Sequence, residues 1–102
     1  MIHVIATIRI APGRRGDFLQ EFEQLVPQVH AESGCIEYGP TVDVETGITG
    51  VPGKRNDVVV VVEKWESVAA LAAHLAASHM AKYREAVKDM VVDVDIRVTE
   101  PV

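Results

Sequence analysis

The N-terminal third of the chain changes its spacing of hydrophobic residues once. Between Ile2 and Ile10 every even position is apolar, which predicts a β-strand with one buried face. After Pro12-Gly13 the apolar positions fall three or four residues apart, at Phe18, Phe22, Leu25 and Val29. This spacing predicts an amphipathic helix over residues 14–33 that stops at Gly34.

The middle of the chain predicts two strands separated by a long loop. Residues 35–45 form the first, which Gly39-Pro40 makes less regular. Residues 45–57 contain three glycines and a proline, a composition typical of a loop. Val58–Trp65 begins with five valines, so both faces of this strand are apolar. We therefore expect it in the centre of a sheet.

The last forty residues predict helix and then strand. Ser67 is a suitable N-cap for a helix over Val68–Ala77, and Ser78 can start a second helical piece that runs to about Met90. Val92–Thr99 alternates again and forms the last strand. The order β-α-β-β-α-β predicts an α+β, ferredoxin-like fold with a four-stranded antiparallel sheet.

Two helical regions can cover only one face of a four-stranded antiparallel sheet. The opposite face of the first and last strands carries polar and charged side chains, while the central strand is valine on both sides. These polar residues are His3, Thr7, Arg9, Asp93, Asp95, Arg97 and Thr99. A homodimer with paired sheets would bury this mixed surface, and a simply solvated face is the alternative.

Composition narrows the class of protein. The chain has 102 residues, which predicts a single domain over 1–102, and its net charge of −5 argues against nucleic acid as a partner. No apolar run approaches a membrane span, so we expect no membrane partner and a cytoplasmic location. The single cysteine, Cys35, excludes an internal disulfide, and a buried, inert thiol is expected there. The spacing of histidines and carboxylates matches no common metal motif, so no metal site is predicted.

Three segments carry a resemblance to a known family. They are Glu32-Ser33-Gly34-Cys35-Ile36-Glu37-Tyr38, then Val62-Glu63-Lys64-Trp65-Glu66-Ser67, then Leu71 and His74 through Ser78-His79-Met80. In this order and spacing the chain resembles the antibiotic-biosynthesis monooxygenase domain family, of the small quinol monooxygenase type. The resemblance implies a ferredoxin-like protomer, a dimeric α/β barrel made by two facing sheets, and a pocket between helices and sheet in each protomer.

The same resemblance leaves the reaction open. Some members oxidise anthrones or quinols with molecular oxygen and with no metal or organic cofactor. Others degrade haem or isomerise small phosphorylated signals. The haem-degrading branch uses an asparagine on the first strand, and Ile2–Ile10 has none. A shared fold does not choose among the remaining chemistries.

His74 is the candidate catalytic base, because an imidazole can accept a proton from a phenol or quinol near neutral pH. A hydrogen-bonded core histidine is the alternative interpretation. Trp65 and Tyr38 are candidates to shape a substrate pocket, and the usual alternative for each is a core residue with its polar atom satisfied. Tyr83 is a further pocket candidate of the same kind.

Two more residues complete the predicted substrate-binding set. Glu63 lies on a valine-rich strand, where a carboxylate needs a partner; a structural ion pair or a substrate hydroxyl would serve. His79 follows His74 by five residues, about 140° around an unbroken helix, so the two share a site only if the helix breaks at Ser78.

These residues support three hypotheses. The first is a cofactor-independent monooxygenase that acts on a small electron-rich aromatic substrate, quinol or anthrone-like, with molecular oxygen as co-substrate. The second is a non-catalytic dimeric protein that binds a small molecule, and the third is a cofactor-free isomerase.

Overall fold

The computed structural model describes all residues from Met1 to Val102. Its elements are β1 (Ile2–Ile10), α1 (Arg15–His30), β2 (Cys35–Thr41), β3 (Val58–Trp65), α2 (Val68–Ala76), α3 (Ser78–Val87) and β4 (Val91–Thr99). The four strands form one antiparallel sheet in the order β2-β3-β1-β4. This confirms the predicted ferredoxin-like α+β fold, with β1 and β3 as the two central strands.

The core lies between the helices and one face of the sheet. The even residues of β1 are buried there, and the register places them opposite the odd residues of β3, for example Ile8 opposite Val59 and Ile2 opposite Trp65. The predicted helical stripe of Phe18, Phe22, Leu25 and Val29 is buried against them. The two hydrophobic periods therefore meet in one cluster, which explains why each pattern is so regular.

Three predicted boundaries were wrong, and one of them is the end of α3, which lies at Val87 and not at about Met90. α1 ends at His30, because the chain turns before Gly34, whose φ of +86° only glycine adopts freely. β2 ends at Thr41, so the following loop covers residues 42–57 and is longer than predicted. Asp43 holds the base of that loop by accepting hydrogen bonds from the Arg55 guanidinium at 2.8 and 3.1 Å.

The second helical region breaks after Ala76. Ser67 caps α2 through its side chain, which accepts a hydrogen bond from the Ala70 N–H, as predicted. Ala77 then has extended backbone angles, φ −65° and ψ 145°, and α3 starts at Ser78. The break that the sequence left open is therefore present, and it changes the relation of the two histidines.

One strand remains poorly covered on both faces. The apolar β4 residues Val94, Ile96 and Val98 lie opposite buried β1 residues on the helix side of the sheet, yet each is about half exposed. The helices pack over β2, β3 and β1 and leave β4 open. None of the three helices combines the length and hydrophobicity that crossing a membrane requires.

Candidate active site

A cavity of about 140 Å³ lies between the sheet and the helices. Ala6, Ile8 and Val61 form part of its sheet wall, and Val94 and Ile96 of the exposed strand β4 lie at one side. Most of the remaining lining is apolar as well. Five side chains with polar groups interrupt this lining: Tyr38, Glu63, His74, Tyr83 and Arg84. A mostly apolar cavity with a few convergent polar groups is the usual form of a small-molecule site.

His74 projects from α2 and is only 1% exposed. Its Nδ1 lies 2.8 Å from Oε2 of Glu32, and its ring packs on Trp65 with 4.6 Å between ring centroids. A carboxylate only accepts hydrogen bonds, so this contact places the imidazole proton on Nδ1. Nε2 then carries the free lone pair, the arrangement that prepares a histidine to act as a base.

Glu63 enters the cavity from β3 and forms no ion pair, contrary to the expectation of a structural ion pair. Its Oε1 instead accepts a hydrogen bond of 2.9 Å from the Trp65 indole N–H. Burial raises the pKa of Glu63 to about 7; the indole hydrogen bond lowers it, and the negative charge of Glu32 adds a smaller rise. Near neutral pH this carboxyl group is therefore able to hold or release a proton.

Tyr38 and Tyr83 belong to an aromatic cluster beside the cavity. The Tyr38 ring stacks on Phe22 with 5.6 Å between centroids, and Tyr83 meets Phe22 edge to face at the same separation. Burial is the main reason that the pKa of each tyrosine is raised. Both phenols therefore stay protonated and can donate hydrogen bonds.

The polar atoms in the cavity have room for a ligand. No side-chain nitrogen or oxygen that is sealed from solvent lacks a hydrogen-bond partner. Nε2 of His74, Oε2 of Glu63 and the Tyr38 hydroxyl have no partner within the chain, so none of these atoms is sealed in protein. All three residues line the cavity. An imidazole, a carboxyl group and a phenol thus border the same small space, each with a polar atom that is free to bind a ligand.

Glu32 is the residue that inspection of the sequence missed. It lies in the turn after α1, and the same Oε2 that contacts His74 lies 2.8 Å from Nε2 of His79. The break at Ala77 makes this possible, because a continuous helix would direct the two histidines to different sides. The matching segment Glu32–Tyr38 contained a signal, but no local spacing rule connects Glu32 with a histidine 42 residues later.

The structure thus brings four of the six predicted site residues to the cavity: Tyr38, Glu63, His74 and Tyr83. Trp65 is fully buried behind His74 and does not line the cavity. His79 lies on the other side of Glu32, beside a separate surface hollow. Cys35 is only half-buried, where a buried thiol was expected. Partial burial raises the pKa of its thiol.

The residues that could hold a metal ion are Glu32, His74 and His79, whose candidate ligand atoms all lie within 4.8 Å of one another. The sequence spacing predicted no such group. No sequence spacing reveals this group, because Glu32 lies in the turn after α1 and the two histidines lie in separate helices.

Fold and cavity together define a ferredoxin-like protein with a mostly apolar cavity that a histidine and a carboxyl group line. The sequence model described as "Antibiotic biosynthesis monooxygenase" matches residues 1–86. The chain is 43% identical to the "Probable quinol monooxygenase YgiN" of Escherichia coli strain K12 over 103 aligned residues, covering 99% of this chain and 98% of the relative. The chain belongs to the antibiotic biosynthesis monooxygenase family.

Solved structures agree with this assignment. The crystal structure of PA3566 from Pseudomonas aeruginosa is similar with a TM-score of 0.82 and 25% identity, over 99% of this chain and 93% of that one. A crystal structure described as an antibiotic biosynthesis monooxygenase gives a TM-score of 0.80 and 26% identity, over 100% of this chain and 99% of the other. The family relationship supports a monooxygenase activity.

Proposed function

We propose that this protein is a cofactor-independent monooxygenase that oxidises a small quinol with molecular oxygen, using His74 as its base. The observation that carries the proposal is the orientation of the His74 ring. Glu32 engages Nδ1, which leaves Nε2 without a partner in the chain, and His74 lines an apolar cavity that a carboxyl group and a phenol also line. Triad geometry of this kind turns a buried imidazole into a proton acceptor.

The reaction needs a base more than it needs a redox group. His74 Nε2 removes the proton of one quinol hydroxyl, and the resulting electron-rich anion passes electrons to oxygen. Overall, a quinol and one O₂ give a hydroxyquinone and one water. The substrate loses four electrons, and O₂ gains four as one oxygen atom enters a ring C–H bond and the other leaves as water. The protein supplies the base, a dry cavity and orientation.

The other predicted residues take supporting roles. Glu63 and the phenols of Tyr38 and Tyr83 bind the substrate hydroxyls, since they face the cavity together with His74. Trp65 orients the site from behind, because it holds Glu63 through its indole and packs on the imidazole. His79 reaches the substrate only through Glu32 and His74.

Cavity size favours a quinol over an anthrone. The cavity measures about 140 Å³, close to the engineered cavity of about 150 Å³ that binds one benzene ring. A single-ring diol fits this volume, whereas a three-ring anthrone would have to extend past Val94 and Ile96, where β4 is open.

A second copy of this chain is the partner that the sheet favours. On the face without helices, Arg9 pairs with Asp93 and Arg97 with Asp95 within the same chain. The charges are thus already matched, and an apolar centre of Ile5, Val60 and Val62 lies among them. Facing sheets would bury that centre without leaving an unpaired charge.

Analytical ultracentrifugation tests the homodimer. Ile5→Lys puts a charge in the centre of the proposed interface and should convert a dimer into a monomer. Val68→Lys changes another exposed apolar residue, which lies at the start of α2 and outside the proposed interface, and should leave the dimer intact. A monomeric wild type at micromolar concentration, or two variants of identical mass, would refute the dimer.

Oxygen consumption tests the activity. Purified protein treated with a chelator should consume one O₂ for each quinol, and label from ¹⁸O₂ should appear in the product. His74→Asn should lose the activity, whereas His30→Gln, a change outside the cavity, should retain it. Release of hydrogen peroxide in place of oxygen incorporation would indicate an oxidase. Ligand-induced stabilisation without turnover across the panel would favour the binding protein.

A further inference from the structure

We propose that Glu32, His74 and His79 form a binding site for a divalent transition-metal ion such as Zn²⁺, and that the bound ion inhibits His74. The three side chains present two imidazole nitrogens and one carboxylate oxygen within 4.8 Å of one another. Two histidines and a glutamate are a common three-ligand set for zinc in proteins, with a further position for water.

The geometry is close to what an ion requires. Ligands on a tetrahedral zinc at 2.0–2.1 Å lie roughly 3.3 Å apart. Oε2 of Glu32 lies 2.8 Å from Nδ1 of His74 and 2.8 Å from Nε2 of His79. Opening these two separations by about 0.5 Å, and bringing the two imidazole nitrogens from within 4.8 Å of one another to a similar distance, would admit the ion. Neither histidine needs to change the nitrogen that it presents.

The surroundings fix the ligands and still admit an ion. Their side chains are 2% exposed for His74, 14% for Glu32 and 20% for His79, so the group is held but not sealed. His79 borders a surface hollow that Glu21, Gln28 and Lys82 also line. The ligands come from the turn after α1, from α2 and from α3, which means that the fold itself assembles the site.

The ion would have a defined effect on the cavity. In the metal-free chain Nδ1–H of His74 donates to Glu32, and the lone pair of Nε2 is free to act on a substrate. A metal bound to Nδ1 occupies the lone pair of Nδ1, so the neutral imidazole must carry its proton on Nε2. His74 then presents a donor where the reaction needs an acceptor. This consequence rests on the proposed function, but the metal site itself does not.

Binding of Zn²⁺ to chelator-treated full-length protein, followed by calorimetry, tests the site. We expect saturation at one ion per chain, and Co²⁺ should give the visible absorption of a four- or five-coordinate site. His79→Gln should weaken Zn²⁺ binding at least about 100-fold, with circular dichroism to show that it folds. His30→Gln, an exposed histidine outside the group, is the matched control and should bind as wild type does.

The outcomes separate the two proposals. Wild type that binds no Zn²⁺, or His79→Gln that binds it as tightly as wild type, overturns the metal site whatever the enzyme assay shows. One-to-one binding that depends on His79 supports the site even if no quinol is turned over. Where turnover is present, saturating Zn²⁺ should abolish it; full activity of the zinc-loaded protein would overturn the inhibition.

Discussion

Glu63 gives the structure its sharpest stability prediction. The residue is 6% exposed, and its carboxyl group has a single hydrogen-bond donor, the indole of Trp65. Glu63→Gln keeps the size of the side chain and a carbonyl oxygen that can accept the same hydrogen bond. It removes only the ability to ionise. The variant should therefore be more stable than wild type at high pH and similar to it at low pH.

The expected magnitude follows from the pKa of Glu63. Below about pH 4.5 the group is protonated in both the unfolded and the folded chain, so its ionisation does not affect the free energy of unfolding. As the pH rises, the unfolded chain ionises first, while the folded chain holds its proton up to a pKa of about 7. Because the folded state binds more protons in this window, its stability falls. A rise of about 2.5 pKa units at about 1.4 kcal/mol each corresponds to roughly 3 kcal/mol.

Urea unfolding of both proteins between pH 4 and pH 8, at one protein concentration, measures the effect. The stability of Glu63→Gln relative to wild type should grow by roughly 3 kcal/mol across the window and then level off. Glu23→Gln, at an exposed position on α1, should show no such trend. If Glu63→Gln and wild type change in parallel with pH, the carboxyl group is not held protonated and the reasoning fails.

Two further predictions concern the backbone at Gly34 and the contact of Tyr38 with the substrate. Gly34→Ala should lower the free energy of unfolding by roughly 2–4 kcal/mol, because φ is +86° and the new Cβ would lie 2.6 Å from that of Ala70. Gly13→Ala, with φ +79° and nothing within 4 Å of the new Cβ, should lose only the free energy that backbone strain costs. Equal losses of stability in the two variants would contradict the proposed contact with Ala70. Tyr38→Phe should leave the melting temperature nearly unchanged, since its hydroxyl has no partner in the chain, but should weaken quinol binding about 3- to 10-fold. Unchanged affinity in calorimetry would remove Tyr38 from the substrate contacts.

The strands and helices could be predicted where a hydrophobic period runs through a whole element. β1, β3 and the buried stripe of α1 are such cases, and the structure has them at or near the predicted positions. The end of β2 could not be predicted, because Val42 and Val44 continue a strand-like alternation beyond Thr41. Its true end depends on where pairing with β3 stops, which is a tertiary property.

The candidate site was predictable in part, because a regular hydrophobic pattern also makes a polar residue within it conspicuous. His74 and Glu63 attract attention because each is a polar residue in an apolar run. Glu32 lies in a polar turn, where a carboxylate needs no explanation, and only the folded chain brings it to His74. The predicted angle of about 140° between His74 and His79 holds for a continuous helix. It does not apply here, because Ala77 divides this region into two helices.

The two glutamates near His74 differ in environment, and this difference assigns their roles. Glu32 lies outside the cavity, where one of its oxygens contacts two imidazole nitrogens, so it serves as the acceptor that fixes the tautomer of His74. Glu63 lies inside, among apolar side chains, with one indole donor and a pKa of about 7. A carboxyl group in that state can donate to a substrate oxygen or take up a proton as charge develops. The cavity therefore presents a proton acceptor and a proton carrier to the same ligand, an arrangement that suits deprotonation of one quinol hydroxyl while the other is held.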